Sequence, residues 1–222
     1  MSEIKVSYVD HLGSDLTSFN AARVSFGNQS DELKPKDITL IQYLADNQHY
    51  SPFEHQALTV IIECPLYIRS QIHRHRTMCF NEISRRYTAE NIEFYLPEAK
   101  DIRQQSTDNK QGSNGSLEKA AADSAAWLIE ETCKKAQEAY EDLLALGVAR
   151  EQARSVLPMA TMTKFYATAN LRNWCHFLEL RLDGHAQLEA QMVAQQVLAI
   201  LKEKFPVSVA AMMPDTGTDY KK

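Results

Sequence analysis

With 222 residues, 44% of them hydrophobic and 24% charged, the chain is long enough to bury a substantial core and reads as one globular domain spanning 1–222. Its 24 Lys and Arg against 29 Asp and Glu give a formal charge of −5, which argues against a nucleic-acid partner and confines any anion site to a pocket where Arg is locally dense. The first residues lack a basic segment followed by an apolar one, and no stretch approaches the roughly 20 apolar residues of a membrane span, so a cytoplasmic protein without membrane contact is expected.

In chain order, Pro35 opens a segment in which Ile38, Ile41, Leu44 and Ala45 recur at helical spacing, predicting a helix over 36–48. Residues 56–64 are apolar and β-branched and end at Pro65, as a buried strand would. A helix over 66–78 would sweep Arg69, His73 and Arg76 along one side. A short strand is expected at 93–96, and the polar stretch 100–116 reads as a mobile surface insertion.

Ser116 as N-cap and Gly147 as stop bound a long helix over 117–146, burying Trp127, Ile129, Cys133, Ala136, Tyr140, Leu143 and Leu144 on one side. A short helix over 149–156 halts before Pro158; a strand over 161–169 and helices over 171–182 and 186–205 follow, the last terminated by Pro206. The tail 215–222 is expected to fray. Strands and long helices interleave without regular alternation, which predicts an α+β fold with a mixed or antiparallel central sheet flanked by long helices.

Residues 74–86 read RHRTMCFNEISRR. Guanidinium groups that stay charged, set among hydrogen-bonding Asn, Glu and Ser, suit phosphate-bearing ligands. An RNA patch with Phe80 and Tyr87 as stacking platforms is the non-enzymatic alternative, and the acidic overall charge opposes it. Cys64, Cys79, Cys133 and Cys175 show no Cys-x-x-Cys spacing and read as small buried hydrophobes, Cys79 excepted because it lies inside the run. A metal site built from His49, His55, His73, His75 and Glu54 lacks a helical ligand pair with its Glu base and would face repelling cations, so no metal is expected. With 7 Gly and no Gly-x-Gly-x-x-Gly turn, a Rossmann pocket is excluded.

The run resembles the signature of flavin-dependent thymidylate synthases, Arg-His-Arg-x-x-Ser-x-Asn-Glu-x-Ser-x-Arg, at Arg74, His75, Arg76, Asn81, Glu82, Ser84 and Arg86, with Cys79 where the family usually has Ser. The likeness extends through AARVSF at 21–26, SPFEH at 51–55, Ala153-Arg154 with Leu157-Pro158, and LRLDGHAQ at 180–187. It implies a thymidylate synthase-complementing-like fold and conversion of deoxyuridine monophosphate (dUMP) to the thymidine nucleotide (dTMP). Methylene tetrahydrofolate would be the carbon donor and FAD, reduced by NADPH, the hydride donor, in a homotetramer whose sites are shared between subunits.

The same resemblance makes Gln71, Ile72, His73, Arg74, Glu82, Ser84, Arg85, Arg86, Arg154 and Arg181 the dUMP-binding positions, with Arg181 the catalytic residue that activates the uracil. Ser51, Glu54, Arg74, His75, Arg76, Glu82, Asn170, Leu171, Arg172 and His176 are the implied FAD positions; many members carry Asn in place of His176. Ser25 is a weaker flavin candidate, and His49 a candidate lid. A fixed guanidinium stabilises charge developing on the uracil imide without giving up its proton. Cys79 as a nucleophile is the rejected alternative, because the family works with Ser there.

Overall fold

The computed structural model describes residues 2–87, 92–107 and 112–214. Its centre is a four-stranded, wholly antiparallel sheet in the order β1-β2-β6-β3, formed by β1 Lys5–Leu12, β2 Ala57–Pro65, β6 Met162–Asn170 and β3 Cys79–Glu82. Leu58, Val60, Ile62 and Cys64 alternate inward along β2 and meet Thr163, Phe165, Ala167 and Ala169 of β6 on the same face. The β-branched, apolar character expected of a buried strand at 56–64 is here divided between two faces with a period of two.

Helices cover that inner face: α1 Asp15–Arg23, α2 Pro35–Asp46, α6 Leu171–Arg181, α7 Leu188–Lys204 and α8 Pro206–Met212. They contribute Phe19, Ile41, Leu44, Trp174, Phe177, Leu178, Val193, Val197, Leu201 and Val209 to one buried cluster. Trp174 also donates its indole N–H to the Leu58 carbonyl at 3.0 Å, so the largest core side chain leaves no polar atom unsatisfied. Asp15 accepts from the Val207 and Ser208 amides at 2.9 and 2.8 Å and so caps α8 from the far end of the chain. Opposite charge complements the opening of that helix.

Several expectations are corrected. Helix α3, Leu66–Ile72, stops six residues short of 78, just before His73, Arg74, His75 and Arg76, and the next segment is turn and then edge strand β3. Cations concentrate where a helix C-terminus favours them. At 93–96 only Phe94 makes an isolated bridge, to Thr161, in place of a strand. Within 100–116 the described residues form a hairpin, β4 Arg103–Gln105 and β5 Ser113–Ser116.

Ser116 therefore lies in a strand, its hydroxyl donating to the Lys100 carbonyl, and Glu118 precedes the long helix α4, Lys119–Ala145. Gly147 does end that helix, with φ +84 where a side chain would be strained. Cys133 and Tyr140 are buried on α4 as expected, whereas Trp127 is 62% exposed. After α5, Arg150–Ala153, one 3-10 turn completes the 149–156 segment. Helix α7 does stop at Lys204, just before Pro206, but Pro206 also opens a further helix, α8, whose first position tolerates a residue without an N–H. The tail 215–222 lies outside the described residues.

Candidate active site

The fold divides the cationic run between two locations. Beyond Ile72 the backbone descends through short turns, with the His75 amide on the Ile72 carbonyl at 3.0 Å and the Met78 amide on the His75 carbonyl at 3.1 Å. Strand β3 then pairs with β6 in the register Cys79↔Thr168 to Glu82↔Phe165. Alternation along β3 turns Phe80 and Glu82 to the partly buried face and leaves Cys79 and Asn81 exposed.

Glu82, Ser84, Arg85 and Arg154 come together in a cavity of about 330 Å³, with Arg69, Thr161 and Thr163 beside them. The Glu82 carboxylate is held there by two donors on one oxygen: Arg69 Nε at 3.1 Å and Thr163 Oγ1 at 2.6 Å. Arg154 donates from Nε to the Glu151 carbonyl at 3.3 Å, and Arg86 Nη2 lies 3.6 Å from the Glu151 carboxylate. Glu151 thereby gathers two of the expected phosphate-binding arginines at the edge of this region, although Arg86 does not line the cavity.

Gln71 and Arg181 form a second cluster. The Arg181 guanidinium reaches the Gln71 side-chain oxygen at 3.5 Å and the Gln71 carbonyl at 3.4 Å, while its buried Nε has no hydrogen-bond partner among the described residues. Desolvation lowers the proton affinity of Arg181, which as an arginine remains charged. Gln71 Nε2 donates to Gln187 at 2.6 Å, and one turn back Tyr67 donates to Glu189 at 3.1 Å. Burial and the Glu189 charge both raise the Tyr67 pKa. Tyr67, Gln187 and Glu189 line a further cavity of about 550 Å³ to which β4 and β5 contribute Arg103 and Ser113.

A third cavity, about 610 Å³, brings together Glu54, Asn170, Arg172 and His176 from the expected flavin set, with Tyr50, Thr77 and Glu179. Arg172 is ion-paired to Glu54 and lies over the Tyr50 ring, 5.3 Å from its centroid. Asn170 caps α6 by accepting from the Asn173 amide at 2.9 Å. His75 is buried behind this wall, edge-on to Phe177 with ring centroids 5.0 Å apart and 6.2 Å from the His176 ring. Burial first, then the charges of Arg181 and His176, lowers its pKa to about 4, and its Nε2 has no hydrogen-bond partner among the described residues.

The remaining expected residues are scattered. Arg74 and Arg76 are exposed in the turn after α3; Ser51, His49 and Ser25 are also exposed. Ile72 and Leu171 are fully buried core residues, so only their backbone atoms remain for a ligand. His73 stacks on Phe80 at 4.2 Å between ring centroids, a packing role. Sequence reasoning overlooked Thr163, Tyr50, Gln187 and Glu189 as site neighbours, and placed Arg69 on a cationic stripe without giving it a site.

The arrangement offers guanidinium-lined cavities for anionic ligands and a desolvated guanidinium beside amide groups. Residues 7–207 match the family model described as thymidylate synthase complementing protein. The chain is 40% identical over 205 residues to a flavin-dependent thymidylate synthase of Thermosipho africanus, covering 92% of this chain and 89% of the relative. It is 42% identical over 208 residues to one of Thermus thermophilus, covering 93% and 74%. A solved structure of the UMP/dUMP methylase PolB from Streptomyces cacaoi, bound with 5-Br dUMP, superposes with a TM-score of 0.87 at 36% identity over 96% of each chain.

Proposed function

The chain belongs to the thymidylate synthase complementing protein family, and on that premise we propose that it is a flavin-dependent thymidylate synthase converting dUMP to dTMP. Methylene tetrahydrofolate serves as carbon donor and FAD, reduced by NADPH, as source of the hydride. The observation that carries this reading is the convergence of Glu82, Ser84, Arg85 and Arg154 on one cavity. A nucleotide monophosphate is close to doubly charged at neutral pH, and each charge-assisted guanidinium contact is worth about 1.5–3 kcal/mol.

Arg181 is the group that activates the ring. Its guanidinium, partly desolvated and set by Gln71, stabilises negative charge building on the uracil imide as the ring carbon attacks the folate methylene. Low local polarity strengthens that interaction. No side-chain nucleophile takes part; exposed Cys79 lies on the face of β3 opposite Glu82.

The third cavity fits a flavin dinucleotide in the chemistry of its donors. Arg172 can meet a pyrophosphate, Tyr50 provides an aromatic face, Asn170 and His176 provide polar contacts, and His75, whose Nε2 has no partner among the described residues, lies beside His176 with ring centroids 6.2 Å apart. When bound there, the flavin supplies the hydride that completes the methyl group. Ser51, Glu54, Arg74 and Arg76 extend the same binding set.

A homotetramer with shared sites is part of this reading. Gln71 and Arg181 do not line the cavity of Glu82 and Arg154, so one chain presents its nucleotide residues in two groups that a second copy would complete. Exposed Trp127, Leu128 and Tyr166 offer apolar surface for such contacts. Among the described residues no helix is long and apolar enough to cross a membrane, and the reading assigns the reaction to the cytoplasm. The test is anaerobic dTMP formation with flavin, folate and NADPH omitted in turn. Product requires all three, and product made without flavin overturns the assignment.

A further inference from the structure

We propose that Arg69 is a further nucleotide-contacting residue, one that completes the positive charge of the Glu82 cavity for a phosphate dianion. This deepens the dUMP reading and rests on it. Arg69 and Leu66 lie three residues apart on α3, and both line the cavity with Glu82, Ser84, Arg85 and Arg154. Arg69, Arg85 and Arg154 set three guanidiniums beside the Glu82 carboxylate along this lining, and a nucleotide monophosphate carries nearly two negative charges. Removing Arg69 takes one positive charge from that lining.

Glu82 orients this guanidinium. It holds Arg69 through Nε alone, at 3.1 Å, and is itself fixed by the Thr163 hydroxyl on the same oxygen. The two Nη groups make no hydrogen bond to another described residue. Arginine presents five donors in a rigid plane, so anchoring Nε leaves the Nη pair aligned for an anionic oxygen. The pair is partly shielded, with side chains 32% and 23% exposed, which lessens screening by salt. A role limited to bracing Glu82 would leave the phosphate unread, and that difference is measurable.

The experiment compares dissociation constants of dUMP and of deoxyuridine, which lacks the phosphate, on the flavin-loaded wild type, Arg69→Met and Arg69→Lys. The methionine variant is expected to weaken dUMP about tenfold or more while changing deoxyuridine by less than about threefold. Unchanged dUMP affinity, or equal loss for both ligands, overturns the proposal. Lysine retains the charge beside Glu82 and so protects the fold, but lacks the planar fork; it should still weaken dUMP by about threefold, selectively. Wild-type affinity for dUMP in the lysine variant, where the methionine protein does not fold, counts against the assignment. A wild type that binds no dUMP and makes no dTMP would instead sink the enzymatic reading itself, and Arg69's role with it.

Discussion

Gln71 meets Arg181 with both its side chain and its backbone, placing one acceptor near each terminal nitrogen of the guanidinium at 3.5 and 3.4 Å. A cation held in this way need not reorganise as charge develops on a substrate, which is where fixed electrostatic groups lower barriers most. Arg181→Ala should therefore reduce single-turnover dTMP formation by about 10²–10³-fold, as loss of one such donor commonly does. Gln71→Leu, which removes the side-chain acceptor but keeps the carbonyl, should cost about tenfold. Rapid-quench measurements on flavin-loaded protein check both. An Arg181 variant with raised KM and unaltered turnover would show that this residue binds the ground state and transition state alike.

Arg172 is the cation on which flavin retention should depend. Glu54 fixes its position and the Tyr50 ring lies beneath it, so its charge is already oriented before a ligand arrives. Arg172→Ala should weaken FAD by about tenfold or more, read as the flavin absorbance remaining after gel filtration. Glu54→Gln should have a smaller effect, because it loosens the guanidinium without deleting it. Full flavin content in both variants would remove Arg172 from the flavin site.

How much of this was readable before the structure depends on where each segment lies. Strands β2 and β6 were legible from their β-branched and aromatic residues, and α7 from the Pro206 that follows it, because buried strands favour such side chains and a helix stops before Pro. Strand β1 was not: as an edge strand it is largely exposed, so its alternation is blurred. Strand β3 is four residues long inside a run dominated by cations, and α8 was hidden by reading Pro206 as a stop. At the site, family resemblance assembled residues that periodicity could not relate. Thr163 escaped because only the antiparallel register Glu82↔Phe165 brings a strand residue two positions away beside that carboxylate.

Cys79 gives a sharp test of the mechanism's dependence on electrostatics. The thiol is exposed on β3, opposite Thr168, while the two neighbouring strand positions that face inward are Phe80 and Glu82. Cys79 does not line the cavity that holds Glu82, Arg85 and Arg154. Cys79→Ser should keep turnover within about threefold of wild type with flavin bound. Loss of more than about a hundredfold would restore the covalent mechanism.

His75 ties the site to the stability of the fold. Its pKa is lowered from 6.5 to about 4 by burial and by the Arg181 and His176 charges, so the native state keeps it neutral where the unfolded chain takes up a proton. The unfolded state then binds more protons between those two values, and stability must fall as pH drops through that window and level off below it. His73, also shifted downward by burial, acts in the same direction. His75→Phe keeps an aromatic ring against Phe177 and removes one titrating group. Its urea midpoint should decline less than that of the wild type between about pH 7 and pH 4.5, the difference in stability amounting to about 1–2 kcal/mol. Parallel decline in the two proteins would mean that the imidazole is protonated in the native state as readily as in the unfolded chain, with no shielding by the Phe177 side.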